Sequence, residues 1–354
     1  MHESPINPLH RKRGAAMTNE HGWNMPLHFS NLAEEHEACR SGCGAFDLSH
    51  LGKFHLGGRG AAEWLESVLS NSGKACHDGS GQTTFLLRSN GSIIDRLLMF
   101  RENDRSIFLL GHAARASTTY EWLRYHCPTP SLRLQDMTHR RSGIALVGPQ
   151  AVEVLHRLLP TVELPPPMEM RRIRMPEDEL FITRAGITGT DGYELFMTAS
   201  AGIRYYDGCI HCGAVPCGCA TLECLRLEAG IADAERDLRQ NRTPVQVGLD
   251  CYCDRQKDYP GAERLRIQRC SKPLLSLAAL DCAAQLRVPA AGDAVTDVAG
   301  HTIGSITSAT ALPEGHTHLA LAYLLSRLCH PGTALYVLIQ GRAIPASVRQ
   351  LSIR

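Results

Sequence analysis

Lysine is scarce in this chain: of 37 basic residues, only Lys12, Lys53, Lys74, Lys257 and Lys272 are lysines. Arginine's planar fork of donors suits carboxylates and phosphates, although a GC-rich genome is the more economical cause of the bias. An excess of one charge is missing too, since the net charge is +1 with 21% charged residues. That balance excludes the basic stripe of a nucleic-acid binder and the composition of a disordered chain. No apolar run approaches the roughly 18 residues that a membrane helix needs, so no membrane partner is expected. No apolar stretch follows the basic leader His10-Arg11-Lys12-Arg13, which argues against a secretory signal. The 14 cysteines lack regular spacing and fit a reducing compartment better than a disulfide framework. Cytoplasm is the expected location.

What is present is a globular pattern. With 354 residues and 44% hydrophobic content, the chain suits two or three domains with cores of their own. Ser30 and Asn31 can cap a helix that Gly42 or Gly44 ends, with Glu34 three residues beyond Asn31. An alternating strand is expected at Leu51–Leu56 and a helix at Gly60–Leu69. A strand at Ile107–Leu110 and a helix at Ala113–His126 follow, the helix broken by Cys127-Pro128-Thr129-Pro130. Strand Gly143–Val147 leads into helix Gln150–Leu159, and Leu164-Pro165-Pro166-Pro167 reads as a stiff linker. Strand Leu180–Arg184 runs into a glycine-rich turn, and helices are expected near Ile203–Cys212 and Thr221–Ala229. From Pro273 onward only short strands and turns are visible, as in a closing β-barrel.

The most informative stretch is Asn90-Gly91-Ser92-Ile93-Ile94-Asp95-Arg96-Leu97-Leu98. It reads as a tight Asn-Gly turn between two apolar strands. Just past the turn, an acid and a base are neighbours on one strand. Their side chains must point to opposite faces, so only one of Asp95 and Arg96 can look into a given pocket. A second cluster, Cys209-Ile210-His211-Cys212 through Cys217-Gly218-Cys219, carries thiolate pairs of the kind that bind zinc or iron–sulfur centres. Cysteine also packs as a small hydrophobe, and the first pair falls in an expected helix. Packing is the favoured reading, and no metal site is expected.

Four ordered stretches carry a resemblance: Gly22-Trp23-Asn24-Met25-Pro26-Leu27, Phe46-Asp47-Leu48-Ser49-His50-Leu51-Gly52, Gly186-Ile187-Thr188-Gly189-Thr190-Asp191-Gly192-Tyr193-Glu194-Leu195, and Leu225-Arg226-Leu227-Glu228-Ala229-Gly230. Together they resemble the T-protein of the glycine cleavage system, a folate-dependent aminomethyltransferase family, over nearly the whole chain. The resemblance implies an α+β fold, a three-domain cloverleaf with tetrahydrofolate in a central channel. The implied domains are 1–50 with 140–270, then 51–139, then a C-terminal β-barrel over 271–354. It also implies transfer of a one-carbon unit from an aminomethyl group on the lipoyl arm of a partner protein to tetrahydrofolate, with release of ammonia. Such a pocket needs a carboxylate for the donor edge of the pterin, apolar walls for the flat ring, and an acid that stabilises an iminium-like cation. Glu194 matches the pterin-binding carboxylate, and Leu51 matches a wall position usually held by Met.

Departures from the family pattern cluster at the chemical centre. The catalytic Asp of the family falls on Arg96, beside the retained Asp95. A guanidinium there would repel a cation and cannot act as a base, and losing a catalytic acid costs about two to four orders of magnitude in rate. Tyrosines expected near the folate fall on Thr83 and Ile187, an asparagine falls on His112, and an arginine for the anionic tail falls on Leu222. His112 is the obvious replacement acid–base, or else a polar residue satisfied by backbone. Three classes of function stay open: a divergent aminomethyltransferase or related tetrahydrofolate-dependent enzyme, a non-catalytic folate-binding protein like the family's iron–sulfur-maintenance relatives, and a metal-binding interaction protein.

Overall fold

The computed structural model describes residues 1–354 except 74, 75, 129, 130, 240, 272, 285, 286, 351, 352 and 354. Lys74, Lys272 and the Thr129-Pro130 end of the expected helix breaker therefore lie outside the described residues. The chain divides into two compact units, 1–86 with 94–222, and 87–93 with 223–354.

The first unit holds three sheets. A small one joins His2–Glu3, Trp23–His28 and Ala16–Glu20. The six-stranded sheet runs in the order Met170–Arg174, Glu179–Thr183, Gly192–Thr198, Arg141–Val147, Gly44–Asp47 and Val215–Pro216. The five-stranded sheet runs Gly81–Leu87, Ile93–Asn103, Ser106–Gly111, Gly52–Gly58 and Leu132–Asp136. Period-2 alternation sorts the side chains of each sheet onto two faces. Helices Ala151–Leu158 and Gly202–His211 cover one face of the six-stranded sheet, burying Leu155 and Tyr206 against Ile144, Leu146 and Leu195. Helices Ala61–Val68 and Ala116–His126 cover one face of the five-stranded sheet, with Leu65 and Leu123 against Leu97 and Met99.

The remaining two faces meet each other. Phe100 and Phe108 pack on Phe181 and Phe196, and the rings of Phe108 and Phe181 stack with centroids 5.1 Å apart and an 8° interplanar angle. Each such side chain, taken wholly out of water, stabilises the fold by roughly 1.5–3 kcal/mol. This aromatic layer is what makes the two sheets one unit.

Most local expectations hold. Helix Leu32–Ser41 starts at Asn31, whose side chain accepts from Glu34 N at 3.0 Å, and ends at Gly42. The hairpin differs in detail. Gly91 N donates to Arg88 O at 2.8 Å and Arg88 N to Ser92 O at 2.9 Å, with positive φ at Gly91 (+80°) but not at Asn90. The loop is thus a three-residue turn closed by a left-handed glycine, not a two-residue Asn-Gly turn. Asn90 instead uses its side-chain oxygen to accept from Ser92 N at 3.0 Å. Helices Asn7–Lys12 and Ala262–Arg269 were not expected. Of the eight residues in the latter only Ala262 and Leu265 are buried, too few to show a period.

In the second unit, six antiparallel strands close a barrel in the order Leu275–Ala283, Thr317–Leu325, Thr302–Ala311, Ala294–Thr296, Ala334–Ile339 and Arg342–Val348. A bulge between Ile306 and Ser308 turns Thr307 out of the ladder. Its hydroxyl donates to the fully buried carboxylate of Asp237 at 2.5 Å, and Ser308 donates to the same oxygen at 2.7 Å. Among the described residues, no helix is long and apolar enough to cross a membrane.

Candidate functional site

The strand Ile93–Asn103 settles where its acid and its base point. Asp95 shares a face with Leu97 and Met99, beneath the covering helices, and is fully buried. Its Oδ2 accepts from Thr119 Oγ1 at 2.9 Å and from His112 N at 3.3 Å, and its Oδ1 from Arg96 N at 2.9 Å. Burial pushes its carboxyl up to about 6 against the downward pull of His112 and these donors. A Cβ at Gly111 would come within 2.6 Å of Asp95 Oδ2, so the glycine makes room for the carboxylate. Arg96, half-buried, lies on the other face with Leu98 and Phe100, the face that meets the six-stranded sheet.

His112 follows the last residue of the neighbouring strand Ser106–Gly111 and caps a short helical turn, its Nδ1 accepting from Ala114 N at 3.3 Å. That bond places any ring proton of the neutral form on Nε2. Its ring meets that of His21 edge-on, with centroids 4.6 Å apart. Nearby in sequence order, the turn Asp47–Leu51 is pinned from within. Asp47 accepts from His10 Nε2 at 2.9 Å and Ser49 N at 2.8 Å. Lys53, fully buried, donates its ammonium to Ser49 O at 2.9 Å and Leu51 O at 2.7 Å. Burial brings Lys53 down to about 7 and His50 down to about 4. Leu51 itself is half-buried. Neither Lys53 nor Thr119 was singled out from sequence; a lysine inside an apolar strand, two residues after the Ser-His-Leu turn, was the available signal.

Glu194 lies on strand Gly192–Thr198 with 1% of its surface exposed. It shares a face with Phe196, so it looks from the six-stranded sheet toward the aromatic layer. Thr183 Oγ1 donates to its Oε2 at 2.6 Å and Ala185 N to the same oxygen at 3.0 Å. Ile187 N donates to Oε1 at 3.3 Å, which brings together two of the residues expected at the site. Burial raises the Glu194 carboxyl above its ordinary range, partly offset by these donors. The result is an acceptor held rigidly, with lone pairs left over for a ligand's N–H groups. Glu194 and Arg96 thus stand on the two sheet faces that pack together, and Asp95 does not.

The family model described as GCVT N-terminal domain matches residues 6–257. The chain belongs to the GCVT family. An aminomethyltransferase of a Picosynechococcus species is 30% identical over 98% of this chain and 96% of its own length. One from Synechococcus elongatus is 31% identical over 98% of this chain and 94% of its own. The crystal structure of glycine cleavage system aminomethyltransferase T from Bartonella henselae superposes with a TM-score of 0.90 at 26% identity, covering 99% of this chain and 97% of that one. The mixed α/β fold with its closed C-terminal barrel is therefore that of the GCVT family.

The other site residues of this GCVT member are spread along its elements. Thr83 is half-buried in strand Gly81–Leu87, and its carbonyl accepts from Asn71 Nδ2 at 3.0 Å. Leu222 is half-buried in helix Cys219–Glu228. All 14 cysteines are free thiols. In the cluster, Cys209 is packed in the core beside Tyr206, and burial drives its thiol well above the ordinary range. Cys217, just after strand Val215–Pro216, donates to Val215 O at 3.3 Å and lies 3.9 Å from the sulfur of Cys39 on helix Leu32–Ser41.

Proposed function

We propose that this GCVT-family protein binds tetrahydrofolate through Glu194 and belongs to the family's one-carbon reaction class, taking the unit from a lipoyl-carried aminomethyl group or a related donor. The observation that carries this reading is the Glu194 carboxylate. It is buried, fixed by one hydroxyl and two backbone N–H groups, and aimed at the inner face of its sheet. A paired N–H edge is the ligand such an acceptor suits, and half-buried Leu51 and Ile187 offer apolar surface for a ring. Calorimetric titration with tetrahydrofolate tests it: saturable binding that Glu194→Ala abolishes supports the reading, and equal binding by both proteins refutes it.

A second reading, folate binding without turnover, is favoured by Asp95. Its carboxylate is committed to Thr119, Arg96 N and His112 N, on the side of its strand away from Arg96. Glycine-cleavage turnover with a lipoylated carrier separates the two. Activity lost in Asp95→Ala supports the first, and folate bound with no turnover supports the second. The expected setting for either is the cytoplasm, in keeping with the free thiols.

A further inference from the structure

The second unit carries a cleft of about 690 Å³ that the transfer reading does not use. Its first wall is the hairpin turn with Arg88 and Asn90, its second the segment 241–246, and its third the helix Ala262–Arg269 with Arg264 and Gln268. The walls are interlocked. Gly261, at φ +89°, opens the helix so close to the turn that a Cβ there would stand 2.6 Å from Arg88 O and 2.8 Å from Gly91 Cα. Ile93 N donates to Arg242 O at 2.8 Å, tying turn to segment. Thr243 Oγ1 donates to Gln268 Oε1 at 2.7 Å, tying segment to helix. A cleft braced this way is preformed, and its volume falls within the roughly 300–1,000 Å³ typical of small-molecule sites.

Its chemistry is one-sided. Among the described residues that line it there is neither a carboxylate nor a hydrophobic side chain. Among the described residues, the side chains of Arg88 and Arg264 have no hydrogen-bond or ion-pair partner, whereas Arg226, Arg266 and Arg269 on the same unit are all paired. Three amides have spent their oxygens. Asn90 Oδ1 accepts from Ser92 N at 3.0 Å, Gln246 Oε1 from Thr243 N at 3.1 Å, and Gln268 Oε1 from the Thr243 hydroxyl. What each amide has left is its NH₂ group. Two guanidinium forks and three amide donors therefore face one space that has no carboxylate among its described lining residues.

We propose that this cleft binds a small organic oxyanion, a molecule that presents phosphate or several carboxylate oxygens to Arg88 and Arg264. None of the residues that hold Glu194 lines this cleft, and the proposal stands whether or not tetrahydrofolate binds. Bidentate guanidinium contacts to phosphate or carboxylate supply both strength and orientation, and a neutral ligand would leave both cations unmatched.

The full chain is titrated by calorimetry at fixed ionic strength with citrate, with glucose 6-phosphate, and with glucose. Saturable one-to-one binding of citrate or glucose 6-phosphate is expected, with none for glucose. Whichever of the two binds identifies carboxylate or phosphate as the recognised group. Arg264→Gln and Arg88→Gln are each expected to weaken that binding about tenfold or more, with Arg264→Lys retaining part of it. Thermal melts check that the variants fold, which is the expected outcome for the exposed Arg264. Two results overturn the proposal: no saturable binding of either anion at millimolar concentration, or binding that survives unchanged in the folded Arg88→Gln/Arg264→Gln double variant.

Discussion

Thr119 gives its hydroxyl proton to Asp95 Oδ2 at 2.9 Å, and both side chains are fully buried. The bond joins helix Ala116–His126 to the strand that carries the acid. It helps keep Asp95 on the helix-covered side. Thr119→Val keeps the shape and removes the donor, which leaves a buried carboxylate short of one partner. A loss of about 1–3 kcal/mol in unfolding free energy is expected, measured by chemical denaturation. Gly111→Ala attacks the same spot by bulk, because its Cβ would fall 2.6 Å from Asp95 Oδ2. A cost of about 1–3 kcal/mol is expected there too. An unchanged midpoint in both variants would mean that Asp95 is not held from this side.

Arg96 occupies the position at which the family resemblance expects an acid, on the sheet face opposite to Asp95. Placing Asp there should not crowd Asp95, since neighbouring strand side chains diverge. If the transfer chemistry still belongs to this face, Arg96→Asp should raise glycine-cleavage turnover by about two to four orders of magnitude. Tetrahydrofolate binding should persist. Steady-state rates with a lipoylated carrier decide it, and a variant no faster than the natural chain would mean that the reaction has left this position.

The sequence was legible where a local rule has a single answer. Asn31 starts its helix because its side chain can accept the Glu34 amide, and of the two glycines the sequence offered as a stop, Gly42 is the one that ends it, at φ −131°. The alternation of Asp95 and Arg96 is a consequence of the pleat, and the structure supplied only which face each one took. Glu194 could be named from its motif, but its three donors could not. Thr183 arrives from the adjacent strand, and the Ala185 and Ile187 amides depend on how the glycine-rich turn folds back. Helix Ala262–Arg269 was missed because a helix with so little buried surface shows no apolar stripe. The partner of Asp95 was illegible for a different reason: Thr119 lies 24 residues away, on a helix whose docking angle no local pattern encodes.

Lys53 offers a test by pH. Burial lowers its ammonium from the ordinary 10.5 to about 7. Between those values the unfolded chain binds a proton that the folded chain has released, so stability rises with pH across this window. Below about pH 7 the folded chain carries the buried cation and the gain is absent. Lys53→Met removes the effect. The natural chain should gain up to about 5 kcal/mol relative to this variant between pH 7 and 10.5, read from denaturation curves at each pH. A constant difference would mean that the two carbonyl bonds, to Ser49 and Leu51, hold Lys53 charged throughout.

Asp237 is the anchor between the barrel and the chain segment that precedes it. Fully buried, it accepts from Arg226 Nη1 at 3.0 Å, Asp233 N at 2.8 Å, Thr307 Oγ1 at 2.5 Å and Ser308 Oγ at 2.7 Å. Every donor loses this acceptor in Asp237→Ala, although Thr307 Oγ1 still has Leu321 O at 3.1 Å. Arg226 keeps Glu223, with Nε to Oε2 at 2.6 Å, but its guanidinium stays buried with less countercharge. Breaking a buried pair from one side costs about 3–5 kcal/mol. Asp237→Asn keeps an oxygen for the two hydroxyls that Oδ1 accepts, but it turns an NH₂ donor toward Arg226 Nη1 and Asp233 N, so those two bonds go with the charge. With half of the contacts retained, its loss should be the smaller of the two. Thermal unfolding of both variants measures the order. If Asn proves as damaging as Ala, the Oδ2 side that faces Arg226 dominates; if both are mild, Asp237 is not the anchor.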